Sequence, residues 1–518
     1  MAFILIRRVY MEKNNLDKQF IDMLTPEIIQ KTFVDLTTRK TDLLDGNIYI
    51  AKGADGIDNI KFKDNISIYS NIICSKGING KYLFTPFREV TIPKPPFERD
   101  QLEEAKKADK IRILSVSTIQ DTIFQELMSQ ILMPFAERKF ADIVDVNSFA
   151  YRKNKSSKMA VQLVRKYINQ GYNYVLDGDI EKFFDKIDHN LLLDKCRSYF
   201  EAENSLMLKY IYRFINVARI PDGQLKLYRE THGKAGAVKR LLGIPQGGVL
   251  SGLLANIFLY DFDKYIVQEI SKEYDCKYIR YADDFVLLFK ANQNIEEVYK
   301  KLKDFLHSEK LNLHPIGKKT KIIDLNKKNN GTLEFLGFSI SPNFLRVKQS
   351  NVKKFYHRIE ELLKETPVES TEQYLNAISS KIRPKIIGLE DLLSENGFCP
   401  ECHQLLQKRN WIGYFMMIDD VRLLRNMDTH IRKMIYSDFH TKTKLHLTKK
   451  KMLLTKHDLL SLEKMYYQYK KQEKLVRSGK VSYCNCRRYF DKDKGCIVVV
   501  PQKLINTNTC QNHTPITF

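Results

Sequence analysis

Apolar positions spaced three and four apart in NNLDKQFIDML (residues 14–24) and TPEIIQKTFVDL (25–36) predict two helices, entered through Asn and Thr caps. KYLFTPFREVTIP (81–93) predicts strands closed by prolines, and the charged stretch from Glu98 to Lys110 a loop or exposed helix. STIQDTIFQELMSQILMPFAERKF (117–140) predicts an amphipathic helix that stops near Pro134. NYVLDGDIEKFF (173–184) reads as a strand running into a helix that DHNLLLDKCRSYF (188–200) continues. CKYIRYADDFVLLF (276–289) reads as two apolar strands around a turn of Ala282, Asp283 and Asp284. NIEEVYKKLKDFLHSEKL (294–311) is a further helix and GTLEFLGFSISP (331–342) a last strand pair. This order predicts an α+β fold, a small antiparallel sheet backed by helices. Beyond about residue 345 the pattern is helical, in NVKKFYHRIEELLKE (351–365) and RNWIGYFMMIDDVRLLRNMDTHIRKMIY (409–436).

A chain of 518 residues exceeds one compact core and predicts two or three subdomains, and 29 Phe with 27 Tyr suffice to fill them. Lys and Arg number 85 against 62 acids, a net charge of +23 that favours a polyanionic partner through counterion release. The plainer alternative is a solubilising surface. The excess is concentrated in residues 440–480, where 12 Lys or Arg face three acids (net +9) with Tyr466, Tyr467 and Tyr469 interleaved. That composition suits backbone contact with base stacking, Lys449, Lys450 and Lys451 being the densest run; the alternative is an exposed amphipathic helix. No run of 18 apolar residues occurs, and MAFILIRRVY lacks the charge and cleavage pattern of a signal peptide. Nine irregularly placed cysteines argue against a secreted disulfide framework. A cytoplasmic protein without a membrane partner is expected.

Asp283 and Asp284 alone would be ordinary turn residues. Asp179 changes the reading, because it follows the apolar run Tyr174–Leu176 and precedes Ile180, Phe183 and Phe184. A poorly solvated acid needs a partner or a metal. Three carboxylates converging from adjacent strands could hold two Mg²⁺ ions, activating a 3′-hydroxyl and stabilising a leaving pyrophosphate. In GIPQGGVLS (243–251), Gly247 and Gly248 permit close backbone approach and Gln246 offers both donor and acceptor. The alternative there is an ordinary glycine turn entering a helix. Lys94, with Lys110 and Arg112 around the strand KIRIL, suits a triphosphate clamp, or else a solvated basic edge strand.

With these pieces assembled, the chain resembles a prokaryotic reverse transcriptase of the group II intron-like kind. The resemblance is carried, in family order, by KGADGID (52–58), TIPKP (91–95), KIRILSVSTIQD (110–121), NSFAYRKNKS (147–156), DGDIEKFFDKIDH (177–189), GIPQGGVLSGLLANIFL (243–259), YADD (281–284), LNLHPIGKKT (311–320), FLGF (335–338) and WIGYF (411–415). It implies a right-hand polymerase fold: N-terminal helices and fingers over 1–175, palm over 176–345, helical thumb over 346–440 and a basic C-terminal extension over 441–518. It implies that Asp179, Asp283 and Asp284 bind the metals and that Phe184 is the gate against a 2′-hydroxyl. By the same resemblance Gln246 contacts the incoming nucleotide, Lys94 and Arg112 bind its triphosphate, Lys319 lies near the pyrophosphate, and Leu336 and Gly337 form the primer grip. The implied partners are an RNA template, a DNA product or primer and dNTPs, and oligomerisation is compatible with all of this.

Several departures bear on the setting. The family's Ser-Pro is Ser251-Gly252, its Arg-Pro is Arg112-Ile113, and a charged insert (98–109) separates Lys94 from Arg112. A mobile-intron endonuclease pattern and the retron Val-Thr-Gly are not found, which resembles the unclassified and defence-associated bacterial reverse transcriptases, often templated by a noncoding RNA. A maturase-like RNA-binding scaffold and an RNA-templated RNA polymerase are the competing readings. Intact carboxylates count against the scaffold, and a bulky Phe184 against ribonucleotides. Independently of the family, Cys399 and Cys402 with Cys484 and Cys486 offer four ligands for a structural zinc closing a loop of about 80 residues. Cys496, Cys510 and His513 are more distant candidates, His403 a bystander, and buried thiols the alternative.

Overall fold

The computed structural model describes residues 16–40, 48–200, 205–292, 294–327, 331–387, 398–399, 402–406, 410–447, 461–484, 487–491 and 496–500. The chain folds into two compact units, one of residues 1–40, 48–160 and 170–324, the other of residues 41–47, 161–169 and 325–518.

The first unit holds strands β1 (Phe87–Pro93), β2 (Ile111–Val116), β3 (Tyr174–Asp179), β4 (Arg219–Ile220), β5 (Lys277–Tyr281), β6 (Asp284–Phe289) and β7 (Lys321–Asp324). They form a three-stranded sheet ordered β2-β1-β4 and a four-stranded antiparallel sheet ordered β5-β6-β3-β7. In β6, Phe285, Val286, Leu287, Leu288 and Phe289 are all buried. A run without alternation means that both faces of this central strand are covered. The buried helix Ser251–Phe258 contributes part of that cover, because Leu253, Leu254, Ile257 and Phe258 share one core with Phe285, Leu287 and Phe289.

The helix expected to be amphipathic and to stop near Pro134 behaves differently from its sequence reading. Helix Ile119–Ile143, 25 residues long, continues through Pro134 to Ile143. Proline removes one N–H and so one helical bond, a cost of about 3 kcal/mol. Burial of Leu132, Ala136 and Phe140 on either side of Pro134 offsets it. Its first half buries Ile123, Phe124, Gln125, Leu127 and Met128, too much of the circumference for a helix with one wet face. Only Phe87–Pro93 of the expected 81–93 segment is strand, and residues 102–107 form the exposed helix expected in the charged stretch.

The second unit begins with β8 (Leu333–Phe335), β9 (Phe338–Ile340) and β10 (Leu345–Val347), an antiparallel sheet ordered β10-β9-β8. Helices Gln349–Lys364, Thr371–Ile387, Trp411–Tyr414, Val421–Thr443 and Leu462–Arg477 follow, then the hairpin β11 (Arg487–Asp491) and β12 (Cys496–Val500). The compact boundary lies at Asp324, so the strands expected to close the palm at residue 345 group with the C-terminal helices. In helix Leu462–Arg477, Tyr466 and Tyr469 are 6% and 1% exposed and pack in the core, leaving Tyr467 alone at the surface. Two of the three tyrosines expected to stack on bases are therefore structural. Lys449, Lys450 and Lys451 lie outside the described residues. Among the described residues no helix is long and apolar enough to cross a membrane.

Candidate active site

The pairing register of β3 and β6 sets Asp179 directly opposite Asp284, and β5 sets Tyr281 opposite Asp284 from the other side. The hairpin turn is therefore Ala282-Asp283, two residues rather than the expected three, with Asp284 the first residue of β6. Two-residue hairpin turns require positive φ, and Ala282 supplies it at φ +60°, a strained value for a residue with a Cβ. Arg280 holds that conformation. Its guanidinium, 1% exposed, donates to Ala282 O at 2.9 Å, Asn256 Oδ1 at 3.0 Å and Ser148 Oγ at 3.0 Å, and its Nε to Asp263 Oδ1 at 2.7 Å. Asp263, itself fully buried, also accepts from Tyr278 Oη at 2.6 Å. On the opposite strand a Cβ at Gly178 would lie 2.3 Å from the Phe285 ring. Glycine next to Asp179 is what lets the ring beside Asp284 lie across the strand.

A returning segment completes the floor. Glu181 N donates to Asn312 O at 2.8 Å and His314 N to Asp179 O at 3.0 Å, which fixes residues 312–320 beside β3. Lys319 Nζ then reaches Asp179 Oδ2 at 3.0 Å. The electrostatics follow from crowding. Asp284 is pushed up to about 7 by loss of water, then by Asp283, Asp179 and Asp177. Asp284 is exposed by surface area, so the like charges are the sturdier cause. Asp283 is also raised, by loss of water and by Asp179, with Lys319 and Arg112 opposing. Three hard oxygen donors whose mutual repulsion is only partly offset by Lys319 fit Mg²⁺. They stand apart rather than closed on a point: among the described residues, only Cys399, Cys402 and Cys484 bring three ligand atoms within 4.8 Å of one another.

The basic residues gather at the same place. Lys94 and Arg112 form no ion pair among the described residues, and Ile92 on β1 sits opposite Arg112 on β2. Lys94 is held below the ordinary lysine value by partial loss of water and then by the positive charges of Arg112 and Lys319. The charged insert does not separate Lys94 from Arg112, since Lys94 N donates to Lys110 O at 2.6 Å.

Phe184 follows Lys182, whose φ of +47° turns the chain into the short helix Phe183–Lys186. Its ring meets Tyr151 edge to face at 6.3 Å between centroids. Tyr151 was not among the residues singled out by sequence. It is 48% exposed, has φ +56°, and its hydroxyl is raised by loss of water and by Asp283. A Cβ at Gly252 would lie 2.4 Å from the Tyr151 ring, so the departure Ser251-Gly252 makes room for Tyr151. The readable signal was the pairing of a Tyr in NSFAYRKNKS with a Gly where the family has Pro. The Arg of that motif is structural: Arg152 Nη2 donates to Glu137 Oε2 at 2.8 Å and its Nη1 to Ser148 O at 3.1 Å.

Gln246 Nε2 donates to Asp185 Oδ1 at 3.1 Å, and Gln246 O accepts from Ser115 N on β2 at 2.7 Å. With Glu89, Arg219, Lys239 and Arg240 they border a cavity of about 360 Å³. The structure thus brings Asp179, Asp283, Asp284, Lys319, Lys94 and Arg112 together, with Phe184 linked to Asp283 through Tyr151. Leu336 and Gly337 belong to the second unit. They form the β8–β9 turn at φ +48° and +86°, and Leu336 O accepts from Tyr414 Oη at 2.9 Å. Cys399, Cys402 and Cys484 cluster in that unit, whereas Cys486 lies outside the described residues.

Residues 92–340 match the family described as reverse transcriptase (RNA-dependent DNA polymerase). Protein YkfC of Escherichia coli (strain K12) is 25% identical over 308 residues, 53% of this chain and 72% of that protein. The group II intron-encoded protein LtrA of Lactococcus lactis subsp. cremoris is 25% identical over 434 residues, 72% of this chain but only 63% of LtrA. Among solved structures, apo telomerase from Candida Tropicalis aligns at 13% identity and a TM-score of 0.40, over 86% of this chain and 81% of that one. All three aspartates and the basic residues around them fall inside the matched span. Residues 92–340 are therefore a reverse transcriptase (RNA-dependent DNA polymerase) domain, and the chain around it is similar to group II intron-encoded proteins.

Proposed function

We propose that the chain copies an RNA template into DNA by adding deoxynucleotides to a primer 3′ end positioned over Asp179, Asp283 and Asp284. The observation that carries this reading is the register that pairs Asp179 with Asp284, with Asp283 beside them on a turn clamped by Arg280. Two Mg²⁺ ions, when bound there, supply activation of the 3′-hydroxyl and charge neutralisation on the departing pyrophosphate. Asp179, Asp283 and Asp284 would hold them. Lys94 and Arg112 take the triphosphate, since neither forms an ion pair with an acid among the described residues and both are available to phosphate oxygens. Lys319 exchanges its contact with Asp179 for the leaving group. Phe184, braced by Tyr151, lies under the sugar and excludes a 2′-hydroxyl by volume. Gln246 leaves Asp185 to meet the incoming nucleotide. In the second unit, Leu336 and Gly337 are the primer-grip turn.

We further propose a noncoding RNA as template and antiphage defence as the setting, on the resemblance to defence-associated bacterial enzymes. The test has two arms. Purified protein is given a primed RNA template with dNTPs or NTPs, and the nucleic acid that co-purifies is sequenced. Extension with dNTPs and one enriched noncoding RNA are expected. Extension with NTPs alone would assign an RNA polymerase, and RNA capture without extension a scaffold.

A further inference from the structure

The cysteines of the second unit lie outside the polymerase site, and their backbone is arranged as a knuckle. Phe398 bridges Leu405 in antiparallel fashion, and Leu405 bridges Tyr483 in parallel. Between them the chain turns tightly: Cys399 N donates to Gln404 O at 2.8 Å and His403 N to Cys399 O at 2.9 Å, with His403 at φ +54°. A third strand-like segment is stitched on by Leu405 N to Ser482 O at 2.9 Å and Cys484 N to Leu405 O at 2.7 Å. Gln404 Oε1 adds bonds from Ser482 N at 2.7 Å and Ser482 Oγ at 2.8 Å. The outcome is that the Sγ atoms of Cys399, Cys402 and Cys484 all lie within 4.8 Å of one another.

Three observations favour a metal over packing. Cys399 and Cys484 are 0% and 4% exposed, so the sulfurs face each other away from water. None of the three is in a disulfide, and Cys402 Sγ to Cys484 Sγ is 3.5 Å, whereas a disulfide bond is about 2.05 Å. A tetrahedral site with Zn–S of about 2.3 Å has sulfur–sulfur edges of about 3.8 Å, the scale seen here. Soft thiolates select zinc over the magnesium of the aspartates.

We propose that Cys399, Cys402 and Cys484 bind one structural zinc ion, with the fourth position filled by a further donor of the chain. The ion fastens residues 398–406 to residues 482–484, so that Trp411–Tyr414, Val421–Thr443 and Leu462–Arg477 form one closed loop. The closure bears on the primer-grip turn. Asn410 caps Trp411–Tyr414 through Gly413 N at 2.7 Å and donates to Tyr469 Oη at 3.1 Å, and Tyr414 Oη holds Leu336 O. Zinc therefore anchors the helix that supports Leu336, a role independent of the aspartates and of whether they catalyse.

Metal analysis of the full chain purified without a His tag decides it. One zinc per chain is expected, released in step with mercurial titration of the thiols, and retained in Cys74→Ser, whose sulfur lies elsewhere. Cobalt exchanged into the wild-type protein, which avoids variants that fail to fold, should give the tetrahedral thiolate spectrum of three or four sulfurs. Zinc near zero, a spectrum with fewer than three thiolates, or a Cys402–Cys484 disulfide in freshly purified protein would overturn the proposal.

Discussion

The buried guanidinium of Arg280 donates to the carbonyl of Ala282 at 2.9 Å, so the residue that precedes Asp283 is held at positive φ by a side chain two positions earlier. The same guanidinium neutralises Asp263, which no solvent reaches. Removing one member of such a pair leaves a bare buried charge, so Arg280→Met should cost about 3–5 kcal/mol in a denaturant melt. Adding Asp263→Leu should recover most of that loss. Primer extension should remain depressed in the double variant, because Ala282 has still lost its donor. Recovery of activity along with stability would separate the clamp from catalysis.

Gly178 and Phe285 make a second test of the same floor. A methyl at Gly178 would enter the Phe285 ring, whose backbone carries straight into Asp284. Gly178→Ala should lower extension on the order of a hundredfold, ~2.7 kcal/mol of transition-state stabilisation, and Phe285→Leu should restore part of it. If Gly178→Ala is as active as wild type, the spacing of Asp179 and Asp284 is not set by that contact.

Sugar discrimination should depend on two rings. Phe184→Ala is expected to raise ribonucleotide incorporation relative to deoxynucleotide, and Tyr151→Ala to do so more weakly, on the order of tenfold or ~1.4 kcal/mol. Steady-state efficiencies with paired dNTP and rNTP substrates measure both. An unchanged ratio in Phe184→Ala would move the gate to another residue.

Asp121 gives the fold a pH dependence unconnected with the metals. It is 1% exposed, accepts from Tyr82 Oη at 2.7 Å and Thr85 N at 3.0 Å, and burial pushes it up to about 7. The folded state binds this proton more tightly than the unfolded chain. Its contribution is thus complete below about pH 4 and is lost as pH rises to about 7, by about 4 kcal/mol in all. Stability measured between pH 5 and 7 should fall more steeply in wild type than in Asp121→Asn. Parallel slopes would show that Asp121 stays ionised.

The strands that carry the aspartates were legible because burial on both faces leaves an apolar run with acids at its end, as in Tyr174–Asp179 and Asp284–Phe289. Helix Ile119–Ile143 was misjudged because a local breaker, Pro134, is outweighed by tertiary packing that sequence does not display. The tyrosines of residues 466–469 look alike in composition, yet helix phase buries two and exposes one. Tyr151 stayed hidden for a related reason. Its role comes from Gly252, about a hundred residues away in sequence, and from a positive φ that no residue type announces.

The central claim, that Asp179, Asp283 and Asp284 carry nucleotidyl transfer, is met most directly by primer extension with the Asp283→Ala, Asp284→Ala double variant beside wild type. Both are assayed on primed RNA with dNTPs and Mg²⁺, after their melting curves are shown to agree. The account predicts extension by wild type and none by the variant, since among the described residues no other carboxylate pair faces across β3 and β6. Extension by the double variant at the wild-type rate would contradict it.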